Sequence, residues 1–387
     1  MKNTNSDIYF IPLGGGQSVG NSCYYLRLGN ENIILDAGMK TSKNLSIAPR
    51  TNILLESGFM KSLNEINSIF ISHAHLDHIG FLPLLSEELP NTNIYMTEIT
   101  NYFSNLQLLE RPVSKTVRNS ILKEKASISL SKAINVSFMQ KLDKCSYRVT
   151  FYPAGHIPGA MMMLFEYGKR KILYTGDYSL CSTPLTRGCF LPDDLNIDTL
   201  IICGLHAKNP NYEKNNSSLN KIIKKINNSV VGSGKNVFCH ITQLTKGIEL
   251  LKAINILNEK SVFKFDIYID HSIFEAVETL EKAGIPILTK YNHLISEKTK
   301  IEPCVIIASN ECFYKNRFEY INADFSLHED FKDMENFIHK INPQYAYIVH
   351  CGEDKIPKSE TIEQRLISYP NCKTQAIFAE DQEIYKL

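Results

Sequence analysis

The stretch ISHAHLDHIG, residues 71–80, packs His73, His75, Asp77 and His78 into six positions. The apolar SIFIS before it predicts a strand, and the spacing of apolar residues in GFLPLLSEEL after it predicts a helix. The two rings separated by one residue project to the same side, and the second His/Asp pair follows one turn later. Such a cluster can supply ligands to two adjacent metal ions, and a combination of imidazole and carboxylate ligands suits zinc. The alternative interpretation is a solvated polar loop.

Four other polar residues also follow apolar strand patterns. They are Asp36 in ILDAG, His156 in PAGHIPGA, Asp177 in YTGDYS and His350 in YIVHCGED. Taken singly, a histidine at a strand end is more often an ordinary surface or core residue than a ligand. Together the four supply what the first cluster lacks, because loops at strand ends carry chemistry on a rigid scaffold.

Composition limits the function classes. The 387 residues indicate two domains, or one large domain with an insertion. A net charge of +1 with 21% charged residues argues against a general polyanion binder. The N-terminal MKNTNSDIYFIPLGGG has no signal-peptide core, and no apolar run approaches the ~18 residues of a membrane span, so we expect a cytoplasmic protein that does not bind membranes. The ten scattered cysteines, without CxxC spacing, indicate reduced thiols.

The composition and the predicted secondary structure of the chain change at two places. The first half consists mainly of short strand patterns, whereas from about Lys208 a Lys/Asn-rich segment alternates strands with helices. That alternation predicts a parallel sheet with helical crossovers. From about Arg317 a helix and further strands follow. The sequence therefore predicts an α/β protein with an inserted middle segment.

LDAG, HAHLDH, AGHIPGA and TGDYS, in this order, resemble the successive motifs of the metallo-β-lactamase superfamily. The resemblance implies an αββα sandwich with a metal site at one sheet edge. FSLHEDF around His328 and IVHCGED around His350 are similar to motifs of the β-CASP nucleases, which carry an inserted cassette. We therefore expect the N-terminal part of the metallo-β-lactamase domain over 1–205, a shortened, smaller α/β cassette over 206–316, and a return over 317–387.

The resemblance also implies roles for individual residues. It assigns to one zinc ion His73, His75 and His156. It assigns Asp77, His78 and His350 to the other zinc ion, with Asp177 bridging the two ions. Asp36 would hydrogen-bond to a ligand and orient it, as metal-bound histidines usually require. Asp77 and His328 would act in catalysis, with His328 protonating the leaving oxygen. Manganese stays open as the metal, because the same ligands accept it.

Two stretches are strongly basic in a nearly neutral chain. Residues 208–264 hold ten lysines against three glutamates, and residues 111–132 hold six basic residues against one glutamate. A phosphate backbone would be attracted to such surfaces. Lys224 and Lys225 are candidates for contact with nucleic acid, and Lys246 stands where relatives carry an arginine. The alternative for any single lysine is a solvated helix face.

The resemblance favours RNA as substrate, since His350 stands where DNA-acting relatives usually carry valine. FSLHED favours an endonuclease. Single-stranded DNA stays open as a further substrate, and a homodimer as an assembly.

The sequence departs from the family pattern at two cysteines. Cys203 replaces a glutamate that would orient His328, and Cys351 is inserted after His350. The first departure, Cys203, keeps a weakly active RNA-binding scaffold as an alternative. A small-molecule hydrolase of the same fold is the other alternative.

Overall fold

The computed structural model describes residues 7–41, 46–110, 120–212, 217–295, 303–309, 317–352, 361–369 and 371–387. These residues form two compact units. The first unit takes its described residues from Met1–Cys181, Gly188–Glu213 and His328–Leu387. The second unit takes them from Ser182–Arg187 and Lys214–Leu327.

The first unit contains two seven-stranded sheets. The strands of one sheet are β1 (Ile8–Gly14), β2 (Cys23–Leu28), β3 (Glu31–Leu35), β6 (Ser68–Phe70), β7 (Asn93–Thr97), β8 (Ile134–Val136) and β21 (Tyr385–Lys386), in the order β21-β1-β2-β3-β6-β7-β8. The strands of the other sheet are β9 (Lys141–Asp143), β10 (Arg148–Pro153), β11 (Met161–Tyr167), β12 (Arg170–Tyr174), β13 (Thr199–Cys203), β19 (Tyr345–Val349) and β20 (Gln375–Phe378), in the order β20-β19-β13-β12-β11-β10-β9. Two short strands, β4 (Lys40–Thr41) and β5 (Ser46–Ile47), pair with each other.

The main core of this unit lies between the two sheets. Because strand side chains alternate between faces, Met161, Met163 and Phe165 of β11 enter this core together. The ring centroids of Phe70 and Phe165, which come from different sheets, are 5.5 Å apart. Met162 is buried as well, on the opposite face of β11. Burial on both faces explains the continuous apolar run MMMLF, which is typical of a strand covered on both sides.

Helices accompany both sheets of the first unit. They are α1 (Ile53–Glu56), α2 (Leu76–Ile79), α3 (Leu82–Glu88), α4 (Glu98–Asn105), α5 (Ser120–Ser131), α9 (Phe331–Ile341) and α10 (Ile362–Ile367), with a 3₁₀ turn at Leu63–Glu65 and a π-helical turn at Leu106–Glu110. α4 packs against β7 and β8, and α10 packs against β20. None of the helices in the described ranges combines the length and apolar character that a bilayer crossing requires. The predicted αββα sandwich is confirmed.

The second unit is built on one parallel sheet. Its strands are β14 (Val237–His240), β15 (Asp266–Ile269), β16 (Asn292–Leu294), β17 (Cys304–Ala308) and β18 (Glu319–Asn322), in the order β16-β15-β17-β14-β18. Its helices are α6 (Ser217–Asn227), α7 (Leu244–Lys260) and α8 (His271–Lys282), with a π-helical turn at Asn228–Gly232. The parallel sheet that the strand–helix alternation predicts is confirmed.

The limits of the second unit differ from the expected 206–316. β18, expected in the C-terminal return, pairs with β14 and so belongs to the second unit. The segment 182–187 also belongs there, and the hydroxyl of Thr183 donates to the Glu249 carboxylate on α7 at 2.6 Å. This contact joins residues that are 66 positions apart, so no local sequence pattern predicts it.

Candidate metal centre

The HAHLDH loop begins just after β6 and runs into the short helix α2. His75 is the residue before α2, and Asp77 and His78 lie on that helix. The loop is anchored at Ser72, whose backbone N–H and hydroxyl both donate to the Asp36 carboxylate, at 2.6 and 2.7 Å. This anchoring fixes the position at which the first histidine ring emerges.

Gly38 allows a second close approach to this loop. A Cβ atom at this position would lie 1.7 Å from the carbonyl oxygen of Asp77. The same carbonyl accepts a hydrogen bond from the backbone N–H of Ser22 at 2.9 Å. Only glycine therefore fits where the LDAG motif passes α2.

The structure brings one group of four predicted ligands together. These residues are His73, His75, His156 and Asp177. Each offers one potential ligand atom, and the four atoms lie within 4.8 Å of one another. His75 Nδ1 is 3.1 Å from His73 Nε2 and 3.2 Å from His156 Nε2. These nitrogens converge on one small volume, as ligands of a shared cation would.

A second group forms on the other side of Asp177. Potential ligand atoms of Asp77, His78 and His350 also lie within 4.8 Å of one another. His350 Nε2 is 3.7 Å from Asp77 Oδ2. His350 adopts a left-handed backbone with φ 54°, and its N–H donates to the carbonyl of Gly15 at 2.6 Å. The insertion of Cys351 therefore does not remove this histidine from the group.

Asp177 faces both groups through different oxygens. Its Oδ2 is 3.6 Å from His73 Nε2, and its Oδ1 is 3.5 Å from His78 Nε2. Asp177 Oδ1 and His78 Nε2 are buried, and neither has a hydrogen-bond partner within the described part of the chain. Buried polar atoms are costly unless they are satisfied, so this pair is the strongest local sign of a cation between them. We call the seven residues of the two groups, including Asp177, the His/Asp centre.

Asp36 sets the orientation of His78. It follows β3 in a left-handed conformation with φ 60°, and its Oδ2 accepts from His78 Nδ1 at 2.7 Å and from the Tyr174 hydroxyl at 2.5 Å. Because an ionised carboxylate only accepts, Nδ1 of His78 carries the proton of this bond. The ring is thereby held with Nε2 turned toward Asp177, as a metal ligand requires.

Electrostatics in the His/Asp centre reflect its crowded charges. Burial opposes a charged ring at His78, but the carboxylates of Asp177 and Asp36 outweigh burial and raise the pKa of His78 to about 10. Burial, with the charge of His78, holds the pKa of His73 well below its ordinary value. The two carboxylates thus stabilise positive charge at His78. A divalent cation could replace the proton there, since metal binding displaces protons from the ligands.

His328 lies at the edge of the centre with its side chain 21% exposed. Its Nδ1 is 3.7 Å from Asp177 Oδ2, and its ring centroid is 4.6 Å from that of His156. Burial lowers the pKa of His328 well below its ordinary value, and the opposing charge of Asp177 does not offset it. The structure therefore places the residue expected to be the proton donor directly beside the predicted ligands.

Several supporting residues had no signal in the sequence. Ser72 and Tyr174 hold Asp36, and the Ser22 hydroxyl is 2.8 Å from His350 Nδ1. Cys203, which the sequence marked only as the replacement of a glutamate, has its Sγ within 4.8 Å of ligand atoms of both Asp177 and His350. The long sequence separations of these contacts explain why no local pattern reveals them.

The candidate nucleic-acid residues lie in the second unit. Lys224 and Lys225 are exposed on α6, whose neighbouring Ile222 and Ile226 are buried. Lys246 Nζ is instead 2.5 Å from Asp324 Oδ1, and its side chain is only 12% exposed, so it is less available to phosphate. The other basic run falls partly outside the described residues, which resume at 120.

Comparison with known proteins agrees with these features. Residues 17–213 match the family described as Metallo-beta-lactamase superfamily. The probable RNase MJ4 of Methanocaldococcus jannaschii is 26% identical over 296 residues, which cover 75% of this chain and 63% of that protein. Endoribonuclease ysh1 of Emericella nidulans is 28% identical over 259 residues, covering 64% of this chain and 28% of that protein. The chain thus spans less than two thirds of the length of these curated relatives.

A solved structure also has the same fold. The crystal structure of a protein of unknown function from Enterococcus faecalis V583 aligns with 98% of this chain and 100% of that one, with a TM-score of 0.65 and 13% identity. At that identity the likeness concerns the fold alone.

Proposed function

The chain belongs to the metallo-β-lactamase superfamily, and from that premise we propose that it is a metal-dependent nuclease that hydrolyses RNA phosphodiester bonds. Its curated relatives are nucleases of the β-CASP branch, as the motifs around His328 and His350 predict. The observation that carries the proposal is the placement of Asp177, whose two oxygens face two separate groups of potential ligands.

The donor set fits two divalent cations. We assign one ion to His73, His75 and His156. We assign the other to Asp77, His78 and His350, with the Asp177 carboxylate shared. Imidazole and carboxylate donors of this kind favour zinc. Ions bound there would lower the pKa of water and stabilise the charge that develops on a phosphodiester.

The remaining steps fall to side chains of this chain. Asp36 holds the His78 ring in the orientation that a ligand needs. Asp177 connects the two groups, because one of its oxygens faces each of them. We assign to His328 the delivery of a proton to the leaving ribose oxygen, because its side chain lies at the partly exposed edge of the centre, beside the proposed ligands. Lys224 and Lys225 attract the RNA backbone through their exposed charge.

The relatives' names support RNA and internal cleavage, since they are a probable RNase and an endoribonuclease. We therefore favour single-stranded RNA cut endonucleolytically. Single-stranded DNA as a further substrate, manganese as the metal and a homodimer stay predictions.

The test uses a circular, labelled single-stranded RNA, which only an endonuclease can open. The zinc-loaded protein should linearise it, and a chelator should abolish the reaction. Asp77→Ala should lower the rate by on the order of a hundredfold or more, because it removes a proposed ligand. Asp193→Ala, at an exposed aspartate, is the control and should leave the rate unchanged.

Cleavage that survives both Asp77→Ala and chelation would overturn the site assignment. Hydrolysis of a thioester or lactone without RNA cleavage would assign the protein to the small-molecule hydrolases of this fold. Tight RNA binding without cleavage, at any metal supplied, would make it a binding scaffold.

A further inference from the structure

Cys203 ends the strand that lies between two ligand-bearing strands. β13 is flanked by β12 and β19, and all three run parallel. Asp177 follows β12, and His350 follows β19, where Cys203 is the register partner of Val349. Because the carboxyl ends of parallel strands meet at one sheet edge, the strand order itself places the thiol between the carboxylate and the imidazole.

The three side chains meet closely. Cys203 Sγ, a carboxylate oxygen of Asp177 and a ring nitrogen of His350 all lie within 4.8 Å of one another, and each residue is at most 7% exposed. Ligand atoms around one zinc, at about 2.0–2.3 Å from it, are separated by up to about 4 Å. The thiol is thus placed as a ligand would be, within a small adjustment of its side chain.

A second observation points to a ligand in the same place. Asp177 Oδ1 and His78 Nε2 are almost fully buried, 3.5 Å apart, and have no hydrogen-bond partner within the described ranges. Cys203 Sγ lies within 4.8 Å of an oxygen of the same carboxylate. The neighbouring thiol of Cys351 contrasts with this, because its Sγ is directed at the carbonyl of Val349, at 3.8 Å.

We propose that Cys203 supplies a thiolate ligand to the ion that His350 binds, on the side of that ion that faces Asp177. The inference rests on the proposed function, since it concerns the same metal site. On binding, sulfur donates an electron pair to the metal and the thiol proton passes to solvent, so no oxidant or reductant is needed. A soft sulfur ligand makes this position selective for zinc over manganese.

Cobalt(II) spectroscopy tests the proposal. The protein is stripped with a chelator and titrated with cobalt(II) alone, and the visible bands report occupancy of the site. A thiolate ligand adds a sulfur-to-cobalt charge-transfer band in the near ultraviolet. The wild-type protein should show that band, and Cys203→Ala and Cys203→Ser should both lose it while keeping the visible bands. Cys351→Ala, which alters an equally buried cysteine beside the site, should retain it.

Metal competition gives a second readout. Cys203→Ser should weaken zinc binding by on the order of tenfold or more, and manganese binding much less. Wild-type protein with bound cobalt but without the near-ultraviolet band would overturn the proposal. So would a band that persists in Cys203→Ala, and the wild-type measurement does not depend on the folding of any variant.

RNA cleavage by the same preparations separates the two proposals. Cleavage without the charge-transfer band would leave the nuclease proposal standing and remove the thiolate ligand. The band without any cleavage would establish the thiolate and contradict the nuclease.

Discussion

Glu249 is a buried acid whose ionisation should control the stability of the second unit. Its side chain on α7 is 1% exposed, and Oε1 accepts the hydrogen bond from Thr183. Burial outweighs the hydrogen bonds from Thr183 and the Leu185 backbone, and raises the pKa of Glu249 from 4.5 to about 7. The folded unit therefore binds a proton that the unfolded chain releases between these two pH values.

The sign follows from proton linkage. The stabilising contribution of the protonated carboxyl is fully present below pH 4.5 and is lost as pH rises through 7. The difference between the two pKa values corresponds to about 3 kcal/mol. Glu249→Gln mimics the neutral acid, so it should abolish this loss. Between pH 4.5 and 8.5 the free energy of opening of wild-type protein should fall relative to the variant by about 3 kcal/mol.

Hydrogen exchange of the α7 amides, corrected for the intrinsic effect of pH, measures this difference locally. A local probe is needed because a chain with two compact units need not unfold in one step. Glu259→Gln, at an exposed position on the same helix, is the matched control and should follow the wild-type profile. Parallel pH profiles for wild type and Glu249→Gln would refute the reasoning.

Three further predictions concern the centre and the RNA surface. Asp36→Asn weakens the acceptor that orients the His78 ring, so zinc affinity should fall about 10–100-fold in chelator competition. Unchanged affinity would contradict that role. Gly38→Ala places a methyl group 1.7 Å from the Asp77 carbonyl, so we expect a lower melting temperature together with reduced metal stoichiometry, and a fully loaded, equally stable variant would argue against the close approach. Lys224→Glu combined with Lys225→Glu should weaken RNA binding for all sequences and flatten its salt dependence, and an unchanged salt slope in fluorescence anisotropy would remove these lysines from the interface.

The fold, and the grouping of the residues that we propose as ligands, were accessible to sequence reasoning for a physical reason. Strand ends and the first turn of a helix are local features, and the His/Asp residues stand directly after apolar strands. Parallel strands then bring such positions to one sheet edge, as they do for Asp177 and His350. Local pattern and tertiary geometry therefore agree in the first unit.

The rest depended on contacts that sequence spacing does not encode. Tyr174 reaches Asp36 across 138 positions, and Lys246 is paired with Asp324 across 78. The sequence marked Cys203 as the loss of a carboxylate, whereas the strand order places its sulfur beside Asp177. Pairings of this kind are set by the tertiary fold, so the spacing of residues along the chain does not reveal them.

The most direct test of the two-ion centre is anomalous diffraction at the zinc absorption edge from crystals grown with zinc. The two-ion centre predicts two neighbouring peaks, one surrounded by His73, His75 and His156 and the other by Asp77, His78 and His350, with Asp177 between them. A map with no peak among these residues, or with zinc bound only elsewhere on the protein, would contradict it.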